Sequence, residues 1–423
     1  MASGPLSEFL KAKKSAYIGD VKAGKGKDWT VVMGNEAGDL DSIASSIAYS
    51  WFASKVQNAT AVALTQTPRS DLHLRAENLH ALELAHLDPS DILCIDDVPC
   101  ASSDPWPSST FALVDHNRLQ SRFSRDNPDA RVVAAVDHHQ DEGLYQDSAS
   151  PRTIVVPTGS CASLIALLFE EHPEHMTPDL ATLLLCSILI DTSGLKPGGK
   201  AEATDRRAAN FLLPILAASQ GPLFSFAATD VNADAPHDTP GLADLHHTLQ
   251  EKKASVAHLT TSDLLKRDYK EYTMTPATAP TTAISVGLSS VPVGFEAWLP
   301  KDAAFWAETE AFMAARGLAV LGILTSFRDA DHPGKSGRGK HRREQMYVVR
   351  GDEGLAKRLF DVLGDAEELK LKRRKFPELG VHNGFGEGVE VHVWEQKNVD
   401  ATRKVTAPLV KAIIEGSSKG ASL

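Results

Sequence analysis

Residues 29–48, WTVVMGNEAGDLDSIASSIA, decide how the rest of the chain is read. A short apolar run, Trp29–Val32, passes into a glycine-containing loop, and an apolar segment of helical period follows. Strand, tight corner and helix in that order open a βα unit. Two acids, Asp39 and Asp41, stand one residue apart at the corner. Acids there complement a helix N-terminus and cap its free N–H groups. Carboxylates so placed also suit metal ions, and the corner alone does not separate the two roles.

The same alternation extends outward. Strands are expected at 60–65, 91–98, 111–115, 132–137 and 153–156, with helices at 41–55, 73–86, 160–171 and 178–190. Continuous β-branched runs alternating with helices predict an α/β domain over residues 1–220, built on a mainly parallel sheet flanked by helices. Ligands in such sheets bind at the carboxyl ends of the strands. Residues 221–241, GPLFSFAATDVNADAPHDTPG, are rich in turn formers and read as a linker. A smaller α+β domain with a mixed sheet is expected over 242–423. Its helices fall near 242–257, 301–317 and 352–363, and its strands at 281–291, 318–327, 344–349 and 389–394.

With 423 residues, the chain is long enough for two or three domains. A net charge of −11 argues against a nucleic-acid polymer as partner, although basic patches survive an acidic average. Four cysteines without a CxxC pair read as reduced core residues. No apolar run approaches a membrane span, and the polar start MASGPLSEFLKAKKS has no signal-peptide core. A soluble, cytoplasmic, monomeric protein is expected.

Further acids end other elements: FALVDHN stops at Asp115-His116-Asn117, VVAAVDHH at Asp137-His138-His139, and LLLCSILID at Asp191. With Asp39 and Asp41 they fall where the sheet puts its cleft. Oxygen ligands with one or two imidazoles suit Mg²⁺, Mn²⁺ or Co²⁺ better than a thiolate-rich zinc site. Two such ions sharing a carboxylate activate water for in-line attack on phosphorus.

GNEAGDLDSIASSIA, LVDHN, AAVDHH and SILIDTSGL together resemble the four N-terminal motifs of the DHH phosphoesterase superfamily, in the family's order. Within it the chain is similar to fungal-type exopolyphosphatases, prune-type proteins and manganese-dependent family II inorganic pyrophosphatases. KRDYKEYTM (266–274), SSVPVGFEAWL (289–299) and ATRKVTAPLV (401–410) extend that similarity through the second half. The resemblance implies two divalent cations, Asp39 on one and Asp41 on the other, with Asp115 bridging and His138 and Asp191 completing the second site. It implies that His139 contacts substrate phosphate and that His116 faces the cleft, touching phosphate or supporting the ligands. Arg403 and Lys404 match a basic pair that the related pyrophosphatases bring onto substrate, and Lys253 resembles a further basic position through a looser match. Asn35 stands where the pyrophosphatases have histidine, which implies a looser first metal site and the exopolyphosphatase pattern. The activity so implied is release of orthophosphate from the ends of linear inorganic polyphosphate, with the second domain closing over the site. Pyrophosphate, cyclic-nucleotide or nucleoside-polyphosphate hydrolysis, or a prune-type binding role, are the alternatives.

Other candidates weigh less. Asp96 and Asp97 read as turn or supporting residues, and His73, His80 and His86 as surface positions on a helix. Ser160 is either a simple N-cap or the start of a helix whose N–H groups face phosphate. GKS at 334–336 lacks the leading glycine of a P-loop, and GFGEG at 384–388 lacks dinucleotide-motif spacing. The basic clusters at 335–343 and 370–375 form either a track for a polyanion or surface loops.

Overall fold

The computed structural model describes residues 4–101, 103–219, 226–277, 279, 281–329, 332, 339–381 and 384–416. The chain divides into two compact units, Met1–Ser255 and Val256–Leu423.

The first unit contains α1 (Pro5–Lys22), β1 (Thr30–Met33), α2 (Leu40–Lys55), β2 (Ala61–Thr65), α3 (Ala76–Leu84), β3 (Leu93–Cys94), β4 (Thr110–Val114) and α4 (Ser121–Ser124). It continues through β5 (Arg131–Asp137), β6 (Arg152–Ile154), α5 (Cys161–Leu168), α6 (Pro178–Asp191), α7 (Ala203–Ser219) and α8 (Leu242–Ala254). Its six strands lie in the order β3-β2-β1-β4-β5-β6, and all the pairings are parallel. Because β1 is followed by β2 on one side and flanked by β4 on the other, the strand order reverses at β1, the switch point where such sheets bind ligands. Val31, Val32, Met33 and the inner residues of β4 and β5 are almost wholly buried, which is why these strands read as unbroken apolar runs.

Two expectations change here. The strand expected over 91–98 shrinks to Leu93–Cys94, followed by a 3₁₀ turn over Ile95–Asp97. The Asp97 carboxylate turns back to accept from the Cys94 N–H at 2.9 Å, while the Arg69 guanidinium and Lys14, 3.1 Å away, hold it there. The linker expected over 221–241 also differs. Residues 220–225 lie outside the described residues, but Phe226 is buried in the first unit's core. Leu242, Leu245 and Leu249 of α8 join that core, so the division falls after Ser255. The lack of periodicity before α8 reflects two short 3₁₀ turns lying on the first unit.

The second unit comprises α9 (Thr261–Arg267), β7 (Tyr269–Met274), β8 (Ile284–Val291), α10 (Phe295–Trp298), α11 (Phe305–Ala315), β9 (Leu318–Asp329) and β10 (Lys340–Arg350). It ends with α12 (Glu353–Gly364), β11 (Leu371–Arg374), β12 (Val389–Gln396) and α13 (Arg403–Glu415). The mixed sheet runs β11-β12-β10-β9-β8-β7, with β8 and β9 parallel and the other pairs antiparallel. Separate apolar clusters cover its two faces. The basic stretch 370–375 is largely strand β11. Of the basic loop, residues 330, 331 and 333–338 lie outside the described residues.

Candidate metal centre

The loop that follows β1 is held from several sides. Gly34 packs so tightly that a Cβ there would sit 2.4 Å from the Ser42 Cβ. Gln66 Nε2 donates to the Gly34 carbonyl at 2.6 Å, Arg75 to that of Ala37 at 2.9 Å and Asn78 to that of Gly38 at 2.9 Å. Asp39 is the N-cap of α2 and accepts from the Ser42 N–H at 3.1 Å. Capping is therefore part of its role, as the corner allowed.

Asp41, on the first turn of α2, is 2 % exposed. One oxygen, Oδ1, accepts from Ser160 Oγ (2.8 Å), the Ala162 N–H (2.8 Å) and Ser187 Oγ (2.9 Å). The other, Oδ2, accepts among the described residues only from the Cys161 N–H at 2.7 Å and lies 3.7 Å from His138 Nε2. Asp41 thus caps α5 from 120 residues away. Neither expectation for Ser160 holds: its side chain makes no cap bond to α5, the first N–H groups of α5 are taken by the Asp41 carboxylate, and the Ser160 hydroxyl donates to that carboxylate as well.

Asp115 directly follows β4 with φ at +60°, a conformation that costs about 1 kcal/mol or more for a residue bearing a Cβ. Its Oδ2 accepts from Ser42 Oγ at 2.6 Å and Asn35 Nδ2 at 2.7 Å, and Asn35 Nδ2 also reaches the Asp115 carbonyl at 3.1 Å. Its Oδ1 faces His138 Nε2 at 3.2 Å and His139 Nδ1 at 3.7 Å. His138 Nδ1 donates to the Thr158 carbonyl at 3.0 Å, which turns Nε2 toward Asp41 and Asp115. Oxygen and nitrogen atoms of Asp115, His138 and His139 come within 4.8 Å of one another, so these three form a possible metal site.

The electrostatics agree. Burial raises Asp115 well above the usual carboxylate range, and the neighbouring Asp41 and Asp39 add to the shift. Asp191, the last residue of α6, is pushed up to about 7 by burial and by the charges of Asp41 and Asp39, against the pull of Lys253. Burial disfavours the His138 cation, but the hydrogen bond to Asp115 and the Asp41 and Asp115 charges outweigh it and raise His138 to about 10. Crowded, largely buried carboxylates with one imidazole nitrogen aimed among them fit a divalent cation better than a set of protons. The donor set is the one hard cations take.

The remaining predicted residues fall as follows. Lys253, near the end of α8, has Nζ 3.9 Å from Asp191 Oδ1 and so belongs to the carboxylate cluster. His116 donates from Nδ1 to the Val114 carbonyl at 2.9 Å, and burial lowers its pKa. Its buried Nε2 has no hydrogen-bond partner among the described residues. Arg403 and Lys404 belong to the second unit. Arg403 donates to the Asp268 carbonyl at 2.7 Å and its carboxylate at 2.8 Å, while Lys404 is exposed on the first turn of α13.

Sequence reasoning named Asp137 without giving it a role and missed Asp205, Ser187 and Thr158. Asp137, fully buried at the end of β5, accepts from the N–H groups of His138 and His139, from His139 Nδ1 and from Asn117. Asp205, from α7, accepts from the Gly159 N–H at 2.8 Å, the Glu202 N–H at 2.8 Å and Ser163 Oγ at 2.6 Å, bracing the corner before α5. The strand-final position of Asp137 was the one available signal; Asp205, Ser187 and Thr158 carried none.

Comparison with known proteins follows the same lines. Residues 29–188 match the DHH family N-terminal domain, and residues 247–413 match the DHHA2 domain. A protein of Schizosaccharomyces pombe named "Putative exopolyphosphatase" is 30 % identical over 399 residues, which is 90 % of each chain. The human protein named exopolyphosphatase PRUNE1 is 24 % identical over 90 % of this chain and 74 % of its own. A Streptococcus equi protein named as a manganese-dependent inorganic pyrophosphatase is 29 % identical over 42 % of this chain and 53 % of its own. With its DHH domain followed by a DHHA2 domain, the chain belongs to the DHH phosphoesterase family.

Proposed function

We propose that the protein is a metal-dependent exopolyphosphatase that hydrolyses the terminal phosphoanhydride of linear inorganic polyphosphate and releases orthophosphate. The observation that carries this reading is the convergence of Asp41 Oδ2, Asp115 Oδ1 and His138 Nε2, each with its other polar atom already engaged. The 30 % identity with the fission-yeast relative supports the choice of substrate.

Asp39, Asp41, Asp115, His138 and Asp191 would hold two divalent cations, of magnesium, manganese or cobalt. Such ions supply Lewis acidity and neutralise charge on the phosphoryl group. The chain's own residues do the rest. Ser42 and Asn35 fix the Asp115 carboxylate, and the Thr158 carbonyl fixes the tautomer of His138. His139 is half exposed, anchored through Nδ1 on Asp137, and so offers Nε2 to a phosphoryl oxygen. Lys253 adds a cation beside Asp191.

The preference for long polyphosphate over pyrophosphate rests on Asn35, which stands where the pyrophosphatases that the chain resembles have histidine. Its Nδ2 donates both to the carbonyl and to the carboxylate of Asp115, and its Oδ1 accepts from the Ala37 N–H at 2.9 Å, so it acts as a brace. The test is phosphate release from polyphosphates of graded length, pyrophosphate and cyclic AMP after chelation, with Mg²⁺, Mn²⁺ or Co²⁺ restored in turn. Release that needs no added metal, or that is faster from pyrophosphate or cyclic AMP than from polyphosphate, would reject the assignment.

A further inference from the structure

The hairpin β9–β10 in the second unit carries cations on both faces, and the faces differ. In the antiparallel register His341 lies opposite Arg328, and Arg343 opposite Ser326. Alternation along each strand puts these four side chains on one face as a two-by-two block. Gln345 and Leu324 are the next pair on that face, where the apolar cluster beneath α12 and α13 begins.

On the opposite face, which also carries Lys340, three basic residues are matched by carboxylates. Arg342 Nε lies 2.6 Å from Asp329 Oδ2, Arg374 donates to Glu344 at 2.7 Å, and Lys397 to Glu395 at 2.6 Å. On the block's own face the guanidinium groups reach backbone instead. Arg343 donates from Nε to the Val399 carbonyl at 2.7 Å, and Arg328 from Nη1 to the Gly339 carbonyl at 3.1 Å. Among the described residues neither guanidinium has a carboxylate within ion-pair distance. His341 Nε2 meets Ser326 Oγ at 3.0 Å. The exposed Asp400 is the acid whose charge reaches Arg343 and His341.

A half-buried arginine beside a second arginine and a histidine is electrostatically costly unless an anion joins them. Burial depresses Arg343, and burial together with the two arginines depresses His341. Each arginine keeps N–H groups beyond the one tied to backbone, and a guanidinium fork matches phosphoryl oxygens.

We propose that Arg328, His341 and Arg343, with the Ser326 hydroxyl, form an anion-binding site in the second unit that holds a phosphoryl group of a linear polyphosphate. The choice of polyphosphate rests on the functional reading above; the geometry of the block does not. The net charge of −11 favours a compact polyanion over a nucleic acid, which needs an extended basic surface.

Binding of long-chain inorganic polyphosphate to the full chain, measured by calorimetry in EDTA so that hydrolysis is stopped, tests the site. Arg343→Gln and Arg328→Gln are expected each to weaken binding about tenfold, and Arg343→Lys less than Arg343→Gln. Arg342→Gln, on the matched face, should cost less than about twofold. Thermal melts of all four variants check folding, and the exposed Arg328 serves if Arg343→Gln disturbs the Val399 loop. Unchanged binding in folded Arg343→Gln and Arg328→Gln would overturn the site. An equal loss in Arg342→Gln would overturn it too, by showing a net-charge effect, as would an RNA oligonucleotide that binds as tightly and suffers the same losses. If the wild type binds as expected yet releases no phosphate, the site stands and the functional reading falls.

Discussion

At Asp115 a left-handed backbone, near-complete burial and a neighbouring carboxylate coincide. Each is unfavourable in isolation, and together they mark a residue kept for its chemistry. Asp115→Asn should lower metal-dependent phosphate release by at least about a hundredfold. It should also abolish stabilisation by metal: at a hundredfold excess over Kd, Mn²⁺ should stabilise the wild type by about 2.7 kcal/mol. Thermal melts with and without Mn²⁺ measure this, and an equal upward shift in the variant would count against Asp115 as a ligand. Asn35 is its brace. Replacing Asn35 by alanine removes two hydrogen bonds to Asp115 and should cost about 1–2 kcal/mol in denaturant unfolding, together with activity. Loss of stability with full activity would show that the brace does not set the position of the carboxylate.

At the scale of elements, the β1–α2 corner and the turn after β3 can be tested separately. A methyl group at Gly34 would meet the Ser42 Cβ at 2.4 Å and the Ser42 backbone at 2.7 Å. Gly34→Ala should therefore destabilise by at least about 2 kcal/mol and disturb Ser42, whose hydroxyl holds Asp115. Urea unfolding would measure the first effect and phosphate release the second. The turn after β3 is pinned by Asp97. Burial opposes its ionisation, but hydrogen bonds from Arg69, the Cys94 N–H and Lys14 bring its pKa down to about 2. A folded value below the unfolded one, about 3.9, gives stability that is fully present above pH ~4. That stability is lost as pH falls toward about 2. Asp97→Asn should remove about 1–2 kcal/mol at neutral pH and flatten the stability profile between pH ~4 and ~2. An unchanged acid limb would show that Asp97 is no more favoured in the fold than in the open chain.

At the scale of the whole molecule, the division after Ser255 has a direct consequence. A fragment ending at Ser255 keeps Leu242, Leu245 and Leu249 in its core, whereas one ending at Gly241 loses all three. The shorter fragment should melt lower or aggregate, which calorimetry and gel filtration would detect; equal melting of the two would move the boundary back. The sequence by itself determined the βα alternation, because strands buried on both faces must be apolar throughout. It also marked acids at strand ends, because the chain can present charge to a cleft only where buried runs stop. That Asp41, Asp115 and His138 come together was legible from motifs that stand in the order of the family the chain resembles. Other features were decided by tertiary structure alone. Asp41 caps a helix 120 residues downstream, Asp205 braces that helix's corner from α7, and α8 belongs to the first core. The difference is physical: periodicity records what each residue does within its own element. The partner of a buried carboxylate, or the core a helix joins, depends on which distant segments the fold brings within hydrogen-bond or van der Waals reach.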